Sequence, residues 1–341
     1  MGDAFLNQNP LSLQGLYDKE KLLAGRLLYV ELADLTNHIL AHGSVNVSID
    51  PKPDFFELHP FSDTSVEEIR IQGFDRLNEV GKYRHDSNVI RMTALRPTSD
   101  GVELTIQRTR YSSQAKSNLI LDYLPPHAKK TLRQALLAET PGRLPELADN
   151  RLANSLGVTI QIYYRDDNGQ LAPFLVPRTK ATAVFNQKLW HDSASGAAEW
   201  PDKPKETQST FEAYILDDLH QELYSELNLS PDDLQVLLPL AVCREVIRAG
   251  KPQIFFFGYT RLSRRELITN MEIARKRAKK KAAEPDEIYR MPLLRRSPNT
   301  GRIERIEHEY ERRGLDPQCA TSFYYCTKFL RKIQNQVDNL S

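Results

Sequence analysis

The sequence predicts a mixed α+β chain in two domains, and three observations carry that expectation. Its 341 residues exceed what one hydrophobic core usually organises, so each half is long enough to bury its own. Helical periodicity and strand-like runs occur in both halves, not in one alone. Pro141, Gly142 and Pro145 interrupt the pattern between them, which sets a boundary near 140–155, with an N-terminal domain over 1–150 and a C-terminal one over 151–341.

The N-terminal half reads as follows. After a polar leader, Tyr17–His42 is expected as one helix rich in apolar surface, with Leu22, Leu23, Leu27, Leu28, Val30, Leu32, Leu35 and Leu40. Pro51, Pro53 and Pro60 break the pattern, and strand-like segments follow at Glu68–Phe74, Asn88–Leu95 and Gly101–Arg110. The last two are joined by a turn containing Pro97 and Asp100-Gly101, so a hairpin is expected. Asn118–Tyr123 reads as a strand and His127–Glu139 as a helix closed by Pro141-Gly142. Arg108, Arg110 and Tyr111, with Arg84, His85 and Arg91, offer an anion or nucleotide pocket; alternating arginines on a strand are more often simply its solvated face.

In the C-terminal half, Val158–Tyr164 is a strand and Arg165–Gly169 a hairpin turn. Leu171–Val176 returns with Pro173 in it and is therefore an edge or bulged strand. Thr182–Phe185 and Trp190 precede a loop of small residues, His191–Glu199, and a polar linker, Trp200–Thr210. A helix over Phe211–Leu229 is followed by two buried strands, Leu234–Cys243 and Gln253–Tyr259. Helices are expected at Arg264–Ala283, Arg302–Arg313 and Pro317–Val337, the last with Phe323, Cys326, Phe329, Leu330 and Ile333 as its packing stripe.

Composition narrows the classes. Forty-six basic residues against forty-five acidic ones leave a net charge of +1, so no global field points to nucleic acid or membrane. Cys243, Cys319 and Cys326 are too few and wrongly spaced for a disulfide framework or a zinc site, and reduced thiols are expected. The N-terminus lacks the basic and apolar regions of a secretory signal, and no apolar run is long enough to span a bilayer. A soluble, cytoplasmic protein is the expectation, with a homodimer left open. No Gly-rich phosphate loop and no convincing Ser-His-Asp arrangement is legible.

The helix over Phe211–Leu229 organises the C-terminal half. Leu216, Leu219, Leu223 and Leu227 form one apolar stripe, and Asp218, Glu222 and Glu226 step by four along a line beside it. Between Thr207 and Cys243 there is no Lys or Arg, while Glu212, Asp217, Asp218, Glu222, Glu226, Asp232 and Asp233 give a net charge of −7. Two readings fit: a solvated acidic helix, or carboxylates arranged for a divalent cation.

The order of elements and the residues around Glu222 resemble the Nudix hydrolase superfamily. Its box, G-x5-E-x7-R-E-U-x-E-E-x-G-U with U aliphatic, is matched in its second half by Gln221-Glu222-Leu223-Tyr224-Ser225-Glu226-Leu227-Asn228-Leu229. Gln221 stands for Arg, Ser225 for the first Glu of the pair and Asn228 for Gly, which Asn replaces at a helix end because it also enters the left-handed conformation. If Gly196 is the glycine of the box, eleven extra residues separate it from Glu222.

The resemblance covers about residues 155–265. It implies a Nudix-like α/β/α sandwich with a mixed sheet, preceded by a separate α+β domain and followed by C-terminal helices. It also implies hydrolysis of a nucleoside diphosphate linked to another group, with Mg²⁺ or Mn²⁺ held by Glu222 and Glu226. Glu199, Glu206 and Glu245 are the candidates for a further base or ligand, and Arg178, Arg244 and Lys251 for substrate-binding cations. The alternative is a catalytically inactive Nudix-fold module that senses a nucleotide or binds a protein. From Arg261 to Lys281 nine basic residues oppose Glu266 and Glu272, so Arg275–Lys281 is a candidate surface for nucleic acid or a protein partner, or a solvated face turned to the acidic helix.

Overall fold

The computed structural model describes residues 10–81, 83, 86–177, 189–201, 209–277, 294–296, 303–305 and 314–340. It is a mixed α+β structure. Helix α1 (Pro10–Leu16) leads to strand β1 (Leu27–Asp34) and helix α2 (Thr36–His42). The single helix expected over Tyr17–His42 is therefore a strand and a short helix. Ala24 and Gly25 take positive φ and turn the chain so that Leu22–Leu23 pairs back on β1, and Gly43 at φ 75° ends α2. A dense run of leucine satisfies a buried strand as well as a helix. Here the strand wins because β1 pairs along Leu234–Glu245, inside the main sheet.

Strand β2 (Asn46–Phe55), helix α3 (Thr64–Glu79) and the hairpin of β3 (Asn88–Pro97) and β4 (Gly101–Arg110) form a βαββ unit with strand order β2-β4-β3. The hairpin is the expected one. Glu68–Phe74, expected as a strand, lies inside α3. Asp63 caps that helix by accepting from the Ser65 N–H, and Val66, Ile69, Gly73 and Leu77 are buried at helical spacing. Asn118–Tyr123 makes turns instead of a strand and buries Leu119, Ile120 and Leu121 in a second core. Short helices α4 (Tyr111–Ala115) and α5 (Leu132–Glu139) complete this region, α5 opening on a Thr131–Gln134 capping box.

Beyond it come β5 (Gly157–Arg165), β6 (Leu171–Pro173), β7 (Ala194–Ala197), helix α6 (Asp217–Leu227) entered through a π-helical turn at Glu212–Leu216, β8 (Leu234–Glu245), β9 (Lys251–Thr260), α7 (Arg264–Arg277) and α8 (Pro317–Leu340). The main sheet runs Leu22–Leu23, β1, β8, β9, β5, β7, with β6 also on β5. β9 and β5 are parallel and the other pairs antiparallel, so the sheet is mixed. Both faces are covered. Phe256 stacks on Phe211 just ahead of α6, while its neighbours Phe255 and Phe257 stand against Tyr325 and Phe329 of α8. Strand alternation thus puts α6 on one face and α8 on the other. Of the two predicted stripes, Leu219, Leu223 and Leu227 on α6 and Phe323, Cys326, Phe329 and Leu330 on α8 are buried, while Leu216 and Ile333 are partly buried against the same core.

Contacts cross residue 150. Besides β1 in the main sheet, the fully buried Arg133 pairs with Asp122 at 2.7 Å and donates to the Tyr17 hydroxyl and to the carbonyls of Val246 and Ile247. Ile303–Arg305, expected within a helix, is a short strand paired with Leu294–Arg296. The rest of that segment and Thr182–Phe185 lie outside the described residues. The three cysteines are free and buried, and no described helix is long and apolar enough to cross a membrane.

Candidate functional site

Helix α6 is placed by its leucines. With Leu219, Leu223 and Leu227 buried, Asp218, Glu222 and Glu226 are left along its border, one turn apart. The helix lies across β7, and the Glu222 carboxyl rests on Gly196: a Cβ there would run into it, with the Glu222 Cδ 2.9 Å away. The two residues proposed as glycine and glutamate of one motif, 26 positions apart in the chain (222 − 196), are neighbours in space.

Asp218 is a strongly perturbed group of the line. One carboxyl oxygen takes the backbone N–H of Glu199, and Oδ2 is buried with no hydrogen-bond partner among the described residues. Burial, reinforced by the Glu199 charge, pushes Asp218 up to about 7. Glu199 itself is exposed. Ser225 turns its hydroxyl back to the Glu222 carbonyl at 3.1 Å and adds nothing to the border.

The end of α6 is built as expected. Asn228 takes φ 52° and its N–H caps the last turn. Arg277, from the last turn of α7, donates to the Tyr224 carbonyl at 2.5 Å and to Asn228 Oδ1 at 3.0 Å, with its guanidinium 3.9 Å from the Tyr224 ring. This part of the basic helix faces the acidic one and neutralises its C-terminal dipole. Lys279, Lys280 and Lys281 lie outside the described residues, as do Arg178 and Glu206.

The remaining candidates stand elsewhere. Glu245 and Lys251 face each other in the β8–β9 register and are buried, 3% and 7% exposed. They lie on the sheet face that α8 covers, because Cys243, two residues before Glu245, touches the Tyr325 hydroxyl at 3.3 Å. Glu245 is paired there with Arg248 at 2.7 Å, and Lys251 donates to Gln253 at 3.2 Å. Arg244 is committed to the carbonyls of Gly250 and Pro145. The structure therefore groups Glu199, Asp218, Glu222 and Gly196, and separates Glu245 from them by the sheet. No protein-family model matches the chain, and no curated protein matches it.

One arrangement had no signal in the sequence, because its members come from distant segments. His191 Nε2 lies 2.7 Å from Ser195 Oγ, and His191 Nδ1 is 2.6 Å from Asp316 Oδ2. The order of groups is that of a serine hydrolase, yet each is already employed. Asp316 caps α8 through the Cys319 N–H at 2.8 Å, and the Nε2 lone pair is shared with Gln318 at 3.3 Å. Gln318 also reaches Thr159 and the buried Asp192, whose carboxyl burial pushes up to about 6. His191, Asp192 and Gln318 form a strut that pins the start of α8 to Thr159 of β5.

Proposed function

We propose that the chain is a divergent Nudix-type hydrolase that uses Mg²⁺ or Mn²⁺ to open the diphosphate of a nucleoside diphosphate linked to another group. The observation that supports this most is the contact of the Glu222 carboxyl with Gly196, which joins the two halves of the degenerate box. In this reading the C-terminal part, 151–341, is a Nudix-like α/β/α sandwich that borrows β1 as a strand, and 1–150 is an accessory α+β domain. Buried, unlinked cysteines fit a reducing compartment such as the cytoplasm.

The residues fit a hydrated cation. Asp218 is a carboxyl raised by burial and then by the Glu199 charge, an environment that a positive ion relieves, and the glycine at 196 leaves room for the Glu222 carboxyl beside it. Among the described residues no three of His, Cys, Asp and Glu form a ready ligand set. The fit is accordingly to an ion that keeps waters and substrate phosphate oxygens, as Mg²⁺ does with one or two carboxylates. Glu222 and Glu226 would hold it; it would neutralise phosphate charge and supply a positioned water. Glu199, exposed beside Asp218, would accept the proton in this reading.

A second reading, a non-catalytic Nudix-shaped module, is favoured by that same lack of a third ligand. Isothermal titration of Mg²⁺ and Mn²⁺, with and without ADP-ribose, separates the two when repeated on Glu222→Gln/Glu226→Gln. Metal binding that disappears in the double variant, together with turnover lost in either single variant, supports the hydrolase. No metal binding with or without nucleotide refutes it.

A further inference from the structure

We infer that the βαββ unit carries a second ligand site, for a mononucleotide or a molecule of that chemistry, in which a planar ring packs on phenylalanine and its phosphate meets arginine and lysine. An open cavity of about 510 Å³ lies between the ends of β2 and β4, one face of α3, and α4. That volume is in the range of small-molecule sites. Helix α3 presents Glu67, Arg70, Ile71 and Phe74 to it, the spacing of a single helix face.

The wall combines exposed apolar surface with cations. Phe55 and Ile71 are 37% and 55% exposed, two of only five large hydrophobic side chains so exposed among the described residues, and both line this cavity. Such surface gathered in a concavity marks a binding site more often than scattered exposure does. Lys116 Nζ sits 4.9 Å from the Phe74 ring centre, and the Arg108 guanidinium 5.6 Å from that of Phe55. Rings here are already faced by cations, which is how proteins hold both halves of a nucleotide.

The charges on the wall do not all cancel. Arg70 and Glu67 form an internal pair at 2.5 Å, with Glu67 also accepting the Phe61 N–H and Arg70 donating to the His59 carbonyl. That leaves Arg110 and Lys116 against Glu57, with Arg110 only 3.5 Å from Asp86 and half exposed. An anion therefore finds Lys116 beside an aromatic surface, and Arg110 once it exchanges Asp86 for phosphate. The basic run around Arg110 gains a role that the carboxylate helix does not give it.

The test uses the full chain as Glu222→Gln/Glu226→Gln in EDTA, so neither hydrolysis nor the carboxylate site contributes and the two proposals fail independently. AMP, adenosine and inorganic phosphate are titrated calorimetrically. AMP is expected to bind at least tenfold more tightly than either of the others. Phe55→Ala should weaken AMP by about 5- to 100-fold, as for loss of one stacking partner. Arg110→Ala and Lys116→Ala should each weaken it and reduce its salt dependence. All three side chains are partly or fully exposed, so melting curves should stay at wild type. The inference is overturned if AMP does not bind, if adenosine binds as well as AMP, or if the three variants bind AMP as wild type does.

Discussion

Asp218 makes the carboxylate border measurable without knowing any substrate. In the fold its carboxyl is held near about 7 by burial and then by Glu199, against roughly 3.9 in an unfolded chain. The folded state therefore keeps its proton while the unfolded state loses it. The stabilisation is fully present below pH 4 and is lost as pH rises through about 7. The gap corresponds to about 4 kcal/mol at most; partial exposure brings the expectation to about 2–4 kcal/mol. Asp218→Asn retains an oxygen for the Glu199 N–H and removes the titration. Urea unfolding of both proteins from pH 4 to pH 8 is the assay, since the difference between them cancels other groups. The variant should match wild type near pH 4 and exceed it by that margin at pH 8, and millimolar Mg²⁺ should narrow the difference at pH 8 if the border takes a cation. Parallel stability curves would refute the placement of Asp218 as a buried, anion-flanked acid.

Other residues give sharper outcomes at single points. Gly196→Ala pushes against the end of a flexible Glu222 side chain, not against backbone, so its stability cost should stay below about 1 kcal/mol while metal affinity in calorimetry falls. Arg133→Ala leaves the buried Asp122 carboxylate unpaired and should cost about 3–5 kcal/mol in urea denaturation, with residues 246–247 losing protection in hydrogen exchange. His191→Ala should speed exchange at the start of α8, whereas Ser195→Ala should leave stability unchanged and a fluorophosphonate should not modify Ser195 in wild type. Arg277→Ala should lower stability by about 0.5–1.5 kcal/mol through the lost cap and ring contact at Tyr224, read from the same urea curves.

What was legible in the sequence follows from where the determinants lie. The β3–β4 hairpin, the turn at Arg165–Gly169, the paired strands β8 and β9 and the leucine face of α6 are fixed by neighbours within a dozen residues, and all were read. Tyr17–His42 was misread because leucine density is shared by helices and buried strands. Only pairing with β8, about two hundred residues away, decides it. Glu68–Phe74 looks like a strand taken alone because the cap that starts α3 is Asp63, five residues upstream of it. At the site, the four-residue step marked Asp218, Glu222 and Glu226 as a line. Nothing in the chain order told that Glu245 would face α8 while Glu199 faced α6, since one position of strand register decides the side.

The two faces of the main sheet handle charge in opposite ways. Beneath α8, His191, Asp192, Gln318, Glu245, Arg248 and Lys251 are bound to one another or to neighbours, so that face resists added ligands. Along α6 a cation meets the C-terminal end, where Arg277 reaches the Tyr224 carbonyl and Asn228. Toward the start, Asp218 meets Glu199 and Glu222 lies on bare backbone at Gly196, so carboxylates gather along this edge. A helix bearing carboxylates at four-residue steps gains from a positive ion placed there. In the proposed hydrolase the ion would be held weakly until phosphate oxygens complete the coordination, so metal affinity should rise when a nucleoside diphosphate is present.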